Sequence, residues 1–287
     1  MFLFLFGGFG AFALFAAHIR GFYLRVFPFY IIMLLIIDQR SEEMEHWEEL
    51  CPGGLKLVYE DSLFHPGTDS FLLSSLPRLK KGLRVFDLGC GTGLLSLLLL
   101  QREPHLQVTG LEVQEDAAAL AQKCAEENGL TDRLTIRRGD LRDVRSLFAT
   151  GSFDLVVCNP PYYEPHRGKT ARESALRTAR SEVNCTLEDV CAAARHLLRW
   201  GGSFCLVHKP ERLTDVLCTL RQYAIEPKVL RYVCTTASAA PSLILVEGRR
   251  GGNSGVTIRP PLILQTPLGT PTPEVDAIYF RQQEDTP

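Results

Sequence analysis

From Arg84 onward, short apolar or β-branched runs alternate with segments of helix length, and this alternation narrows the possible architectures more than any other feature. Strands that read as near-continuous apolar runs are covered on both faces. Helices between such strands carry the chain across to the next parallel neighbour. The expected strands are Arg84 to Leu88, Gln107 to Glu112, Arg133 to Arg138, Phe153 to Cys158, Gly202 to His208, Pro227 to Cys234 and Ser242 to Glu247. Between them helices are expected near Leu94 to Gln101, Glu115 to Asn128, Thr186 to Arg199 and Glu211 to Tyr223. Asn128-Gly129 supplies the glycine stop of one helix, and Trp200-Gly201-Gly202 is expected to stop another before the fifth strand. The pattern describes an α/β protein with a Rossmann-like, seven-stranded, mostly parallel sheet and helices on both faces.

The first residues do not share this pattern. Residues 1–37 hold nine of the sixteen Phe and almost no charge, in two apolar runs split at His18-Ile19-Arg20, each shorter than the roughly 20 residues that span a bilayer. The basic start and small-residue cleavage site of a signal peptide are lacking. The favoured reading is a start taken too far upstream, with the functional chain beginning near Met44; a membrane tether or an apolar segment buried on the domain are the alternatives. The expected organisation is therefore an extension over 1–43, a segment over 44–83 that closes over cofactor and substrate, a catalytic domain over 84–248, and an extension over 249–287 that packs on it. That last part opens with a mobile-looking Arg249-Arg250-Gly251-Gly252-Asn253-Ser254-Gly255.

With 31 Lys+Arg against 33 Asp+Glu the net charge is -2, so any nucleic-acid contact must come from a local patch. The nine cysteines are scattered without a CxxC pair, several inside apolar runs, as expected of reduced thiols in the cytoplasm. Neither they nor the seven dispersed histidines have metal-ligand spacing, and no metal is expected. His208 and Cys205 read as core or strand-end residues.

Asp87-Leu88-Gly89-Cys90-Gly91-Thr92-Gly93 sets three glycines, each two apart, between a strand and a helix. Glycine permits the sharp turn and lets a ligand come close to main-chain N–H groups. The dinucleotide fingerprint G-x-G-x-x-G would need glycine where Leu94 stands. An acid just before the glycines suits a cationic ligand, such as the ammonium and sulfonium of S-adenosylmethionine, better than a pyrophosphate. Glu112, nineteen positions past Gly93, can accept ribose hydroxyls; alternatively it is a solvated strand-end carboxylate. After the third strand, Asp140 can accept from an adenine amino group while the Leu141 N–H meets a ring nitrogen; alternatively Asp140 caps a short helix.

The fourth strand runs into Asn159-Pro160-Pro161-Tyr162. Two prolines cannot extend a strand ladder, so they make a rigid turn that aims the Asn159 side chain and the Pro160 carbonyl. A planar amine is a poor nucleophile because its lone pair is delocalised. Two acceptors gripping its N–H groups draw it toward tetrahedral geometry and stabilise the positive charge that grows during methyl transfer. Tyr162 is placed to stack on a planar target, and the proton can leave to water without a general base. Downstream, Arg167, Lys169, Arg172, Arg177 and Arg180, with His166, form the one clearly basic stretch, suited to phosphate contacts; a solvated helix face or loop is its structural alternative.

D-x-G-x-G-x-G followed by Asn-Pro-Pro-Tyr resembles class I methyltransferases that act on amino groups. The span from Tyr59 to Phe280 is similar to the bacterial tRNA(Val) adenine-37 N6-methyltransferase family. His65-Pro66-Gly67-Thr68-Asp69-Ser70-Phe71-Leu72-Leu73, Ala179-Arg180-Ser181-Glu182, Pro260-Pro261-Leu262 and Glu274 to Tyr279 carry further likeness. The resemblance implies an S-adenosylmethionine-dependent enzyme acting on tRNA with no stable protein partner. It implies that Thr68, Asp69, Asp87, Gly89, Cys90, Gly91, Gly93, Glu112, Val113, Asp140, Leu141 and Asn159 meet the cofactor, and that Asn159 to Tyr162 are catalytic. The rival expectations are a protein-glutamine, guanine-N2 or DNA-adenine methyltransferase, and a non-catalytic module that binds S-adenosylmethionine or RNA.

Overall fold

The computed structural model describes residues 45–59, 67–160 and 185–281. The apolar runs at 1–37, Pro161, Tyr162 and the basic stretch from His166 to Arg180 lie outside the described residues. All seven expected strands are present: β3 (Arg84–Leu88), β4 (Gln107–Glu112), β5 (Leu134–Arg138), β6 (Phe153–Cys158), β7 (Leu198–His208), β8 (Ile225–Cys234) and β9 (Pro241–Arg250). An antiparallel hairpin, β1 (His46–Glu49) and β2 (Lys56–Tyr59), precedes them, with helix α1 (Thr68–Ser74). Between and after the core strands come α2 (Leu94–Arg102), α3 (Glu115–Glu127), α4 (Val144–Leu147), α5 (Leu187–Leu197), α6 (Leu213–Gln222) and α7 (Pro273–Ile278).

The core strands lie in the order β5-β4-β3-β6-β7-β9-β8, parallel except for β9, which runs against both neighbours. Two further two-residue strands, β10 (Thr257–Ile258) and β11 (Leu262–Ile263), pair parallel to β8, so the sheet has nine strands among the described residues, not seven. Chain direction explains the lone antiparallel strand. Only six residues, 235–240, separate β8 from β9, which permits a hairpin and forbids a parallel crossover.

Side chains alternate between the two faces of the sheet and build two cores. Val85, Val108, Leu155, Val157, Cys205, Val207 and Leu245 face the layer of α1, α2, α3 and α7. Phe86, Leu88, Leu111, Val156, Cys158, Phe204, Leu206, Ile244 and Val246 face the layer of α4, α5 and α6. Helix α2 is apolar almost all round: every residue from Leu94 to Leu100 is buried, Ser96 included.

Two local expectations need correction. Trp200-Gly201-Gly202 does not stop a helix. Helix α5 ends at Leu197 and the glycines lie inside β7, opposite a register shift between Phe153 and Leu155. Gly201 takes φ +76°, and a Cβ on Gly202 would stand 3.0 Å from the Asp154 carbonyl oxygen, so a bulge rather than a cap requires them. Arg249 and Arg250 are not in a mobile tail but in the ladder of β9, opposite Ser203 and Ile225. The stretch 44–83 contains a hairpin whose second strand fastens to α3, with Lys56 N–H donating to Asn128 Oδ1 at 2.7 Å and Val58 N–H to Cys124 Sγ at 3.2 Å.

Candidate active site

In an open parallel sheet, ligands bind beyond the carboxyl ends of the strands where the strand order reverses. Here that point lies between β3 and β6, the two strands that run into the glycine turn and into Asn159-Pro160. Asp87 pairs in register with Gly110 of β4 and Val157 of β6. One position beyond, the Cys158 thiol donates to the Leu88 carbonyl at 3.2 Å. Register alone therefore gathers Asp87, the glycines, Glu112 and Asn159 at one edge.

The glycine turn is left-handed at Gly89 (φ +71°), Gly91 (+55°) and Gly93 (+87°), which L side chains adopt only under strain. A Cβ on Gly93 would stand 3.3 Å from Ala121 Cβ on α3, whereas nothing lies within 4 Å of a Cβ on Gly89 or Gly91. The latter two leave an open cradle. Most of the N–H groups of the turn are engaged within the protein. Gly89 and Cys90 N–H both donate to the Leu111 carbonyl at 2.9 and 3.1 Å, Gly93 N–H to the Cys90 carbonyl at 2.9 Å, and Gly91 N–H to Glu112 Oε2 at 2.9 Å. Four of the five N–H groups in the turn are thus used internally, and a pyrophosphate would find little to bind.

Asp87 is 1% exposed, and its Oδ2 accepts from Ser96 Oγ at 2.7 Å. Burial pushes its carboxyl up to about 7; hydrogen bonds from Ser96 oppose the shift and the Glu112 charge adds to it. Cys90 lies below the turn, its thiol pushed up by burial and then by Asp87 and Glu112. It fits there because Gly110 has no side chain: a Cβ would stand 2.7 Å from Cys90 Sγ. Thr92 is 1% exposed, and its Oγ1 is buried without a hydrogen-bond partner among the described residues.

Glu112 is buried, not a solvated strand end. Its Oε1 accepts from the N–H groups of Val113 (3.0 Å) and Gln114 (2.9 Å), its Oε2 from that of Gly91, so one carboxylate ties the glycine turn to the start of α3. Asp140 is the cap of the short helical turn Leu141–Asp143, as its structural alternative foresaw, accepting from Arg142 N–H at 2.8 Å. The Arg142 guanidinium also grips it, chiefly by hydrogen bonds that hold its carboxyl below the usual range. Thr68, exposed, donates from Oγ1 to Asp69 Oδ1 at 3.2 Å.

Asn159 directly follows β6, and its Nδ2 donates to Ser70 Oγ of α1 at 3.1 Å, across 89 positions of sequence. Pro160 is half-buried beside it. Sequence reasoning assigned no role to Ser70, Ser96 or Arg142. Ser96 had a signal: a hydroxyl in an otherwise all-leucine turn of helix needs a partner. Ser70 had none, because its partner comes from a distant strand. Among the described residues no cluster of His, Cys, Asp and Glu is placed to hold a metal ion, and no helix is long and apolar enough to cross a membrane.

A strand order of this kind, with a glycine turn after the first core strand and acids at the ends of the first two, defines the class I methyltransferase fold. The crystal structure of a predicted O-methyltransferase from Agrobacterium tumefaciens has the same fold, with a TM-score of 0.62 and 21% identity over 75% of this chain and 96% of that one. Residues 57–222 match the family described as the methyltransferase small domain. The chain belongs to that family and is an S-adenosylmethionine-dependent methyltransferase. Among its relatives, the tRNA1(Val) (adenine(37)-N6)-methyltransferase of Porphyromonas gingivalis is 33% identical over 64% of this chain and 73% of its own length. The enzyme of the same name from Dickeya chrysanthemi is 30% identical over 74% and 85%. The open cradle over Gly89 and Gly91, flanked by two buried carboxylates and with four of its five N–H groups used internally, fits a cationic cofactor better than a pyrophosphate.

Proposed function

We propose that this enzyme methylates the exocyclic N6 amino group of an adenine in tRNA. The observation that carries the reading is the position of Asn159-Pro160 at the end of β6, next to the glycine turn of β3, in a chain whose relatives bear that activity in their names. When bound, S-adenosylmethionine supplies an electrophilic methyl on a sulfonium. Asp87 faces its cationic end and is ionised by that partner. The Gly89 and Gly91 cradle gives it room, with the main chain of Cys90 and Val113 nearby and Thr68 and Asp69 on α1 covering the methionine end. Glu112 has about four acceptor positions and three are taken by N–H groups, so it accepts one ribose hydroxyl as it stands and a second only by releasing an N–H. Asp140 shares its carboxylate between Arg142 and the adenine amino group, next to the Leu141 N–H.

Asn159 Oδ1 and the Pro160 carbonyl accept the two N–H hydrogens of the target amine. They localise its lone pair as the new N–C bond forms and the S–C bond breaks, and the proton leaves to water. Tyr162 stacks on the extruded base, Pro161 stiffens the turn, and Arg167, Lys169, Arg172, Arg177 and Arg180 contact phosphates. The activity belongs in the cytoplasm, in keeping with nine free cysteines.

The test is transfer from labelled S-adenosylmethionine to unmodified total tRNA by the full chain, with Asn159→Ala as control, followed by nucleoside analysis. Label in N6-methyladenosine that vanishes in the control is the expected result. Cofactor binding with no label in any tRNA nucleoside would overturn the reading and leave a protein glutamine or rRNA as the target.

A further inference from the structure

We infer that Ser70 is the positioning residue for the Asn159 grip, an inference that rests on the catalytic role proposed for Asn159. An asparagine amide is nearly symmetric in shape and opposite in hydrogen-bonding sense at its two ends. Turned one way it accepts from the target amine; turned the other it confronts N–H with N–H. Its terminal torsion is broad, so the backbone turn alone does not hold the amide plane. A neighbour must do so.

Ser70 is such a neighbour. It is 5% exposed, and its hydroxyl oxygen accepts one Nδ2 hydrogen of Asn159 at 3.1 Å. This bond commits the nitrogen end of the amide to α1 and keeps Oδ1 as the acceptor for the target. Helix α1 is in turn braced from the other end of the chain. The Phe71 and Tyr279 rings stack with centroids 4.4 Å apart and planes within 4°. Arg102 donates to Ser74 Oγ at 3.0 Å and to the Ile278 carbonyl at 2.7 Å, and lies 4.6 Å from the centre of the Phe280 ring. The anchoring hydroxyl thus stands on a helix clamped between α2 and the end of α7, and the orientation of the gripping amide follows from packing far from β6 in sequence.

The experiment compares Ser70→Ala and Ser70→Thr with the wild type in two readouts. In steady-state transfer to tRNA, Ser70→Ala lowers kcat about tenfold, the loss of one hydrogen bond that matters in the transition state. It leaves the cofactor Kd and the tRNA KM within twofold, and Ser70→Thr recovers most of kcat. A variant that merely loosens α1 would instead weaken cofactor binding and lower Tm together, and that outcome overturns the proposal. The second readout needs no substrate. The chain has four asparagines, so selective 15N labelling gives four side-chain amide pairs, with Asn159 identified by its loss in Asn159→Ala. Faster hydrogen exchange at that pair in Ser70→Ala, restored in Ser70→Thr, is expected; an unchanged pair overturns the inference. If the wild type labels no tRNA, the reading of substrate fails while the amide readout still judges Ser70.

Discussion

If Asp87 faces the cationic end of the cofactor as proposed, cofactor affinity is expected to depend on pH in a window where an ordinary carboxylate would not titrate. Its carboxyl titrates near 7 in the free protein because burial disfavours the charged form and Glu112 repels it. A cationic cofactor reverses that balance, so the bound state is ionised throughout and binding below neutrality releases a proton. Apparent Kd then scales as one plus the ratio of proton concentration to the acid constant. From pH 7.5 to 6.0 it weakens about eightfold, or about 1.3 kcal/mol. The ligand's α-amino group, with an ordinary pKa of about 8, remains largely protonated over this range. Isothermal titration of S-adenosylmethionine at both pH values measures the ratio, and repeating it in two buffers of different ionisation enthalpy counts the proton released. In Asp87→Asn the dependence disappears and binding at pH 7.5 weakens. Ser96→Ala removes the hydrogen bond that favours the ionised form, so the dependence moves to higher pH. A wild-type Kd that is flat from pH 6.0 to 7.5, or a slope that survives in Asp87→Asn, would refute the reasoning.

Further expectations rest on neighbouring residues. The same shift bears on stability: the folded state holds the Asp87 proton where the unfolded state has lost it, so stability declines as pH rises from about 4 to about 7. Asp87→Asn therefore raises Tm at pH 7.5 and leaves it nearly unchanged near pH 4, as calorimetry will measure. Gly93→Ala places a Cβ at φ +87° and 3.3 Å from Ala121, and should lower stability by about 1–2 kcal/mol in denaturant unfolding. Thr92→Val removes a buried hydroxyl with no partner among the described residues, and should be neutral or stabilise by up to about 1 kcal/mol in the same assay. Asn159→Ala should slow methyl transfer by about 100-fold or more while the cofactor Kd stays within threefold, which single-turnover and binding measurements separate.

The seven core strands and the helices on both faces were legible in the sequence because runs such as Phe153–Cys158 and Leu94–Leu100 can be satisfied only by burial on every side. The glycine turn and Asn159 were legible for a similar reason: left-handed backbone and a double proline leave few options at those positions. Strand limits were less so. Gly201-Gly202 carries the same local signal whether it ends a helix or bulges a strand, and Arg249-Arg250 looks like a polar tail until β7 and β8 are known to flank β9.

What the sequence by itself determined is therefore the chemistry at the sheet edge: an acid, three glycines, a second acid and a rigid Asn-Pro turn, each written in contiguous residues with local backbone consequences. What only the tertiary structure decided is how those groups are held and charged. That Asp87 titrates near 7, that one oxygen of Glu112 is taken by Gly91 of the glycine turn, and that Asn159 is anchored by Ser70 all depend on partners 9 to 89 positions away. Burial and hydrogen-bond geometry are properties of the packed sheet, since no single segment excludes water or brings those partners within reach before the strands have assembled.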